Sequence, residues 1–428
     1  MTIIKAKILK FLLIGVILVA FLNSCYSPMQ PSGDVWNFNF SSIYNPAETD
    51  IKADIMVVHN TDTSSSLFFK LKKNEFVSSY DEKTNREYIQ VLVKYVLRDY
   101  ETTHLCDSGT MLYKLESNLD SDFIYSMNIK TKEKEKYNLV VLVSDNYRKK
   151  SRRVMLEVDR TEKNSAQYFL IQKVDDKNEI LFTSYITDTS ASYQIQNFYP
   201  SDSMLNISFY KPIKTMPQSI FASTVIPQIP KPDTVFQHKL NNSLKFEKQG
   251  IYFISFPQSP ESGVCVVNHG NNYPNITSPK TMIEPLKYLT SNKRYNDMIN
   301  ASDKKLAVDK FWLNLTSDLK RSKELIRIYY NRVQMANEMF GTYKQGWQTD
   351  RGMIYVVFGA PATVYKGPDV EQWIYGDRPE ISNINFVFQK NNNKFTNKDY
   401  ILQRENKYQT IWAQATETWL KGKAFSVN

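Results

Sequence analysis

The sequence predicts a multidomain protein with two all-β, immunoglobulin-like sandwiches followed by an α+β domain made of a helical layer and an antiparallel sheet. Three observations lead to this prediction. The chain opens with a basic and apolar leader, its first half repeats short β-rich runs between polar turns, and helical spacing of apolar residues begins near residue 280. A length of 428 residues is sufficient for several domains with cores of their own.

The first 24 residues predict a signal peptide rather than a folded domain. Three lysines precede an uncharged apolar run over residues 11–22. A run of about a dozen residues is too short to cross roughly 30 Å of hydrocarbon as a permanent helix, so we expect the leader to be removed. Everything after the leader is then expected to fold outside the cytoplasm.

The apolar run leads into Leu22-Asn23-Ser24-Cys25, which resembles a bacterial lipobox. The resemblance implies cleavage before Cys25 and lipid on its thiol, and acyl chains that contribute about 0.8 kcal/mol per buried methylene would give a lasting anchor. An ordinary signal peptide with an incidental cysteine is the alternative. Residues 25–35 contain two prolines and a glycine and predict a short tether. An acidic cluster or an Asp directly after Cys25 would resemble a signal for surface export or for retention in the inner membrane. Neither is present, so we expect the outer membrane and its periplasmic face.

The region 36–160 is predicted to be the first β-sandwich. Its runs of Val, Ile, Tyr, Phe and Thr alternate with polar turns, as is typical of antiparallel sheets. The predicted strands cover residues 54–58, 67–71, 88–96, 137–143 and 154–158. Residues 106–109, Cys-Asp-Ser-Gly, predict a turn. With His104 this segment contains the residue types of a hydrolytic triad, but neighbours in sequence do not make triad geometry.

The region 161–272 is predicted to be the second β-sandwich. Its predicted strands cover residues 167–171, 181–183, 192–195, 205–210, 250–256 and 264–267. Residues 211–233 contain five prolines, and because proline cannot donate to a sheet ladder we predict a long loop or edge segment there.

The region 273–428 is predicted to be the α+β domain. Five apolar residues at steps of three and four predict a buried helix face over about 318–339: Ile326, Tyr329, Val333, Ala336 and Phe340. A second helix is expected around residues 306–315 and a closing helix at 411–420. Strands are predicted at 353–358, 384–388 and 400–402.

This last region contains the sharpest motif, Gly346-Trp347-Gln348-Thr349-Asp350-Arg351-Gly352, with a later block Glu371-Gln372-Trp373-Ile374-Tyr375-Gly376. The two blocks resemble the GWxTD domain of exported proteins and lipoproteins of Bacteroidota, over roughly residues 273–422. The resemblance implies an envelope-associated domain and supplies no catalytic residues.

Physical chemistry gives the motif two interpretations. In the structural one, Gly346 and Gly352 supply positive φ, Thr349 or Asp350 bonds a tight turn, and Trp347 covers a helix-to-strand junction. In the functional one, Trp347, Asp350, Arg351 and Glu371 line a surface groove for a peptide or glycan. The candidate contact residues are therefore those of the two blocks: Gly346, Trp347, Thr349, Asp350, Arg351, Gly352, Glu371 and Trp373.

Composition argues against several function classes. A formal charge of +10 is a mild excess over this length and does not indicate nucleic-acid binding. No two of the four histidines lie close in sequence, and paired cysteines are missing, so we expect no metal and no cofactor: His59, His104, His238 and His269. Buried free thiols are expected at Cys106 and Cys265, and a disulfide between them is the alternative. Paired carboxylates for glycoside hydrolysis stay open, because their separation is spatial.

These observations predict a non-catalytic lipoprotein that is a scaffold or accessory subunit of an outer-membrane or secretion-associated complex. Its sandwiches would hold the C-terminal domain away from the membrane and present it to a protein partner. A periplasmic glycan-binding lipoprotein is the alternative, motivated by 13% aromatic residues and by Trp347, Trp373, Trp412 and Trp419 in the last domain. An uncharacterised hydrolase is the third candidate.

Overall fold

A computed structural model describes residues 38–45, 51–117, 122–175, 178–200, 202–316, 318–376 and 384–426. The predicted signal peptide, Cys25 and the tether over 25–35 lie outside the described residues. Several antiparallel β-sheets come first, and helices with one further sheet follow, which confirms the predicted fold class. Within the described residues, no helix combines the length and the apolar character needed to span a bilayer.

The first β-rich region contains eight strands around one apolar core. They are β1 Ala53–Thr61, β2 Ser64–Leu71, β3 Ser78–Asp81, β4 Arg86–Asp99, β5 Leu105–Glu116, β6 Phe123–Lys130, β7 Lys136–Asp145 and β8 Ser151–Asp159. One sheet has the order β1-β2-β6. In the other, β4 pairs with β5 along one edge and with β3 and β7 along the opposite edge, and β8 lies beyond β7. All five strands predicted for this region are present.

The turn predicted at residues 106–109 is wrong, because these residues form part of β5. Gly109 lies beneath the Tyr95 ring, where a Cβ would come within 2.4 Å of the ring carbon Cε1. Asp107 accepts hydrogen bonds from the Tyr95 hydroxyl at 2.9 Å and from the Lys130 amide at 2.8 Å. Gly109 and Asp107 therefore contact neighbouring strands and do not form a turn. Adjacent strand residues point to opposite faces, so Asp107 and Ser108 do not converge as a triad would require.

The second β-rich region contains seven strands in two sheets. They are β9 Phe169–Lys173, β10 Tyr193–Asn197, β11 Met204–Tyr210, β12 Thr234–Lys239, β13 Ser243–Leu244, β14 Gly250–Ser255 and β15 Gly263–Asn268. The sheet orders are β13-β10-β9 and β12-β11-β14-β15. The predicted strand at 181–183 is wrong, since these residues form no strand and the Leu181 amide donates to the Ile171 carbonyl of β9 at 2.9 Å beside the isolated bridge between Gln172 and Ile180. The loop predicted at 211–233 is confirmed.

The C-terminal region packs helices on a four-stranded antiparallel meander. The helices are α1 Pro279–Ile283, α2 Asn292–Ile299, α3 Lys304–Leu313, α4 Leu319–Phe340, α5 Asp350–Phe358 and α6 Tyr408–Leu420. The strands are β16 Thr363–Lys366, β17 Val370–Tyr375, β18 Ile384–Lys390 and β19 Tyr400–Leu402. Four of the five stripe residues of α4 are fully buried, which confirms that predicted helix and its core face.

The strand predicted at 353–358 is wrong, because these residues are the second half of α5. All nine residues of α5 are buried, so the helix shows no polar face from which its period could be recognised. A short apolar run without a polar face is ambiguous between a buried strand and a buried helix. The helix ends at Gly359, whose φ of +88° favours glycine.

The C-terminal core includes side chains from outside the C-terminal region. Phe40 and Tyr44, which precede β1, are buried in it, as is Ile220 of the long loop. A neighbouring cluster joins residues of β14 and β15 to Tyr273, Tyr343 and Phe395. Strand β14 is therefore buried on both faces. The boundaries of the predicted sandwiches and C-terminal domain stay a prediction.

Candidate functional site

The two motif glycines allow backbone segments to approach one another closely. A Cβ on Gly346 would lie 1.9 Å from the carbonyl oxygen of Ala336 in α4, and a Cβ on Gly352 would lie 1.9 Å from that of Gly346. Neither residue has a positive φ, so the expected left-handed conformation is wrong. The glycines instead bring α4, the turn at 346–348 and the first turn of α5 into backbone contact.

Thr349 and Trp347 fix the turn between α4 and α5. The Thr349 hydroxyl donates to the Gly346 carbonyl at 2.7 Å and accepts from the Gly352 amide at 3.1 Å, which makes Thr349 the N-cap of α5. The Trp347 side chain is buried, its carbonyl accepts from the Tyr288 hydroxyl at 2.6 Å, and its amide donates to Asn337 at 3.3 Å. Both residues stabilise the joint between the two helices.

Asp350 forms a bidentate ion pair with Arg404. The guanidinium Nη2 and Nη1 donate to Oδ1 at 2.7 Å and to Oδ2 at 2.9 Å, and the Leu402 amide donates to Oδ2 at 2.7 Å. Arg404 also donates to the carbonyls of Ser219 at 3.2 Å and Gln218 at 3.4 Å. The first residue of α5 is thereby connected to the long loop over 211–233.

Arg351 and Glu371 form a second buried pair. The Arg351 Nη1 donates to Glu371 Oε2 at 3.1 Å, and the Lys366 ammonium lies 3.4 Å from the same oxygen. The other carboxylate oxygen, Oε1, accepts from the Tyr44 hydroxyl at 2.6 Å and from the Trp373 indole at 2.7 Å. Residues far apart in the chain thus complete one polar cluster inside the C-terminal core.

The cluster keeps Glu371 ionised and Tyr44 protonated. Burial by itself raises the pKa of Glu371, but Lys366, Arg351 and the two hydrogen bonds outweigh it and hold that pKa below its ordinary value. Burial, together with the neighbouring Glu371 carboxylate, raises the pKa of Tyr44 well above its ordinary value. The Tyr44 hydroxyl therefore keeps the proton that it donates.

The motif residues lie in the interior. Trp347, Asp350, Arg351 and Glu371 expose 2%, 8%, 6% and 1% of their surface. A surface groove lined by these four side chains needs them accessible, and in this structure they are not. Whether the motif contacts a partner protein stays a prediction.

Nothing in the sequence indicated the side chains that bind the motif residues. They lie outside the two blocks, and no spacing links them to the motif: Tyr44, Lys366, Asn337 and Arg404.

Removal of the Tyr44 hydroxyl is expected to weaken the cluster. We expect Tyr44→Phe to lower the free energy of unfolding by about 1.5–3 kcal/mol, because the substitution deletes a hydrogen bond to a buried charge. Urea denaturation followed by near-UV circular dichroism measures this loss. Tyr147→Phe changes an exposed tyrosine and is expected to stay within about 0.5 kcal/mol of the wild type. Equal stabilities for both variants would contradict the role given to Tyr44.

Metal ligands do not converge within the described residues, where no group of three or more His, Cys, Asp or Glu side chains is placed to hold an ion. Cys106 and Cys265 are both free, and the expected burial is confirmed for Cys265 but wrong for Cys106, which is exposed on the edge strand β5. His59 lies in the core of the first β-rich region, with Nδ1 2.7 Å from the Ser65 hydroxyl and Nε2 3.1 Å from the Asp159 carbonyl. Burial lowers the pKa of His59 to about 4, so this histidine is a neutral core residue.

Residues 250–421 match the sequence model of the GWxTD domain, so the chain contains this domain, as the two blocks predicted. The match begins at residue 250 and includes β14 and β15, the strands that pack against the C-terminal region. No curated protein matches the chain.

Among solved structures, the chain is similar to two crystal structures of a glycosyl hydrolase family 2 member from Bacteroides cellulosilyticus. Each shares 10% identity, with TM-scores of 0.19 and 0.18. The similarity covers 26% and 31% of this chain but only 14% and 16% of those chains, so this protein spans a small part of their length. A likeness at this level says nothing about function.

Proposed function

We propose that this chain, in which residues 250–421 form a GWxTD domain, is a lipid-anchored, non-catalytic docking subunit of an outer-membrane or secretion-associated protein complex. In this proposal residues 1–24 are removed, Cys25 carries the lipid, and the folded part faces the periplasm. The lysine-rich leader and the lipobox-like ending at Cys25 support the anchor.

The pairing of the motif's charged side chains supports a docking function. Asp350 holds Arg404, and Arg351 holds Glu371, in both cases within the protein interior. Catalytic acids and bases must reach a substrate, whereas these groups are used to join α5, β17 and the long loop into one body. A domain organised in this way is suited to present a fixed surface.

The first described residues of the chain pack into the C-terminal core. The Phe40 amide donates to the Val364 carbonyl at 2.8 Å, and the Tyr355 hydroxyl donates to the Tyr44 carbonyl at 2.9 Å. The chain after the proposed tether thus enters the C-terminal core before it reaches β1.

The glycan-binding alternative was motivated by the tryptophans of the C-terminal region, and exposed faces on these residues would favour it. In the described residues, Trp312, Trp347, Trp373 and Trp419 are each at most 2% exposed, and Trp412 is half-buried. A stacked sugar ring requires an accessible aromatic face. The docking function is thus better supported by the packing of these residues.

Lipidation is tested by replacement of Cys25. We expect the wild type to incorporate an alkyne analogue of palmitate in cells and to sediment with membranes, and we expect Cys25→Ser to lose the label and to leave the membrane fraction. Cys106→Ser is the control, because this exposed thiol lies in the folded region and its loss should change neither result. A label that persists in Cys25→Ser would overturn the anchor.

Docking is tested by cross-linking in intact cells, gentle solubilisation and recovery through a C-terminal tag. We expect a defined set of outer-membrane proteins to be enriched with the wild type over Cys25→Ser, which keeps the same folded region but lacks the proposed anchor. Similar recovery with both forms, or no enriched set, would contradict the docking function and make glycan-array binding the next experiment.

A further inference from the structure

The loop over 211–233 presents an exposed apolar segment between two fixed ends. Ile220 is buried in the C-terminal core, and Phe221 packs against it. Ile229 packs against the cluster that joins β14 and β15 to Tyr273. All residues between them, 222–228, are exposed, and Val225 and Ile226 expose 61% and 64% of their surface. We name residues 222–228 the strap.

Strand β12 follows the strap and forms the edge of its sheet. It pairs with β11 through six residues, and in the described part of the chain its other edge has no strand partner. Val235 and Phe236 on this strand expose 56% and 39% of their surface. Exposed apolar edge strands offer unpaired backbone groups to a further strand, and soluble proteins usually protect them.

The segment of chain that contains the strap and β12 is rich in lysine. Residues 211–248 contain six lysines and only two acidic residues, and all six lysines are exposed: Lys211, Lys214, Lys231, Lys239, Lys245 and Lys248. Asp233, one of the two acidic residues, is paired with Lys211 at 2.7 Å. The charge therefore complements an acidic partner.

The GWxTD motif positions this surface. Arg404, held by Asp350, donates to the carbonyls of Gln218 and Ser219 shortly before the strap. The Glu405 amide donates to the Ile220 carbonyl at 3.2 Å. After the strap, Ile229 packs against the cluster that contains Tyr273. The strap is thus held at both ends by contacts with the C-terminal region.

We propose that the free edge of β12, together with the strap, binds an extended strand of a partner protein in which apolar side chains alternate with acidic ones. Backbone hydrogen bonds to β12 would supply the pairing, Val235 and the strap would cover the apolar side chains, and the lysines would face the acidic ones. This inference rests on the proposed docking function, because it identifies the surface through which that function acts.

A synthetic strand is the direct probe. A ten-residue peptide of alternating Val and Glu is compared with a Val and Lys version and with a Val and Glu version that is N-methylated at every residue. We expect the acidic peptide to bind the purified folded region at least about tenfold more tightly than the basic one and to slow amide hydrogen exchange in β12. The methylated peptide keeps its side chains but cannot donate backbone hydrogen bonds from either edge, so it should not slow exchange. Absent protection, or protection that survives N-methylation, would overturn the proposal.

Paired surface variants give the matched control. Ile226→Ser with Val235→Ser should reduce binding of the acidic peptide about tenfold or more without a change in unfolding midpoint, because both side chains are exposed. Leu306→Ser with Leu313→Ser removes two other exposed apolar residues, from α3, and should leave binding unchanged. An equal effect of the two pairs would contradict a specific site at β12.

Recovery of outer-membrane proteins from cells distinguishes a failure of the β12 surface from a failure of the docking function. If the wild type and Ile226→Ser with Val235→Ser recover the same outer-membrane proteins, the docking function stands and the β12 surface is wrong. If the wild type recovers no defined set, the docking function fails, whatever the peptide result. Sedimentation of the purified protein tests whether a second copy of this chain binds the β12 edge instead. Self-association that is abolished by Ile226→Ser with Val235→Ser would overturn the proposal that a strand of a different protein binds there.

Discussion

Gly346→Ala is expected to prevent the C-terminal region from folding stably. The new Cβ would lie 1.9 Å from the Ala336 carbonyl oxygen. Packing holds both this carbonyl and the backbone of residue 346 in place, so neither can move away. Overpacking in a well-packed core typically costs about 1–3 kcal/mol, and a clash with backbone in the middle of a core exceeds that range, so we expect a loss of at least about 4 kcal/mol. Gly352→Ala meets the Gly346 carbonyl at the same distance and should behave alike.

Gly367→Ala is the control for this prediction. Its Cβ would approach the Val370 carbonyl oxygen to 3.3 Å, a contact that a small shift relieves. Urea denaturation and limited proteolysis of the three variants measure the effect. The prediction is contradicted if Gly346→Ala and Gly367→Ala unfold at similar urea concentrations.

The sequence predicted most regular elements because their apolar periodicity reflects one packed face. The stripe on α4 and the alternation in β1 and β4 belong to this kind, since each element places its apolar residues on a single core. Helix α5 was missed because it is buried on all sides. Strands β5 and β12 were missed because they lie at sheet edges. Most of their side chains are exposed, so buried apolar and exposed polar residues do not alternate clearly along them.

The candidate site was predictable only in part. The two blocks located Asp350, Arg351, Glu371 and Trp373, but the pairing of these residues follows from tertiary contacts. Tyr44 reaches Glu371 across 327 positions of sequence, and no local pattern encodes such a contact. The motif glycines were predicted correctly to be required by the backbone, but for the wrong physical reason. Close approach of two backbone segments and a positive φ both require glycine, so the sequence cannot distinguish them.

Glu371→Gln is expected to have the second large effect. The amide keeps the size of the side chain but removes its charge, so Arg351 is left buried without a counter-ion, although Lys366 and Tyr44 remain beside the position. Loss of one partner from a buried ion pair typically costs about 3–5 kcal/mol. Urea denaturation at neutral pH should show a loss of this size. A loss below about 1 kcal/mol would contradict the importance of the pair.

Removal of both charges is the matched control. Arg351→Met with Glu371→Gln removes both charges of the pair and leaves only the Lys366 ammonium, so it should recover a large part of the stability that Glu371→Gln loses. Arg351 also donates to the Lys398 carbonyl at 2.7 Å, and the double variant leaves that carbonyl without this donor. Recovery is therefore expected to be incomplete.

The same pair predicts how stability depends on pH. The folded state holds the pKa of Glu371 below the ordinary value of 4.5, so ionised Glu371 stabilises the fold fully above pH 4.5. This contribution is lost as pH falls through the lower, folded pKa, because protonation then removes the charge in the folded protein as well. The difference in unfolding free energy between the wild type and Glu371→Gln should thus be largest near neutral pH and shrink below pH 4.5. A difference that stays constant down to strongly acidic pH would show that the carboxylate charge does not stabilise the cluster.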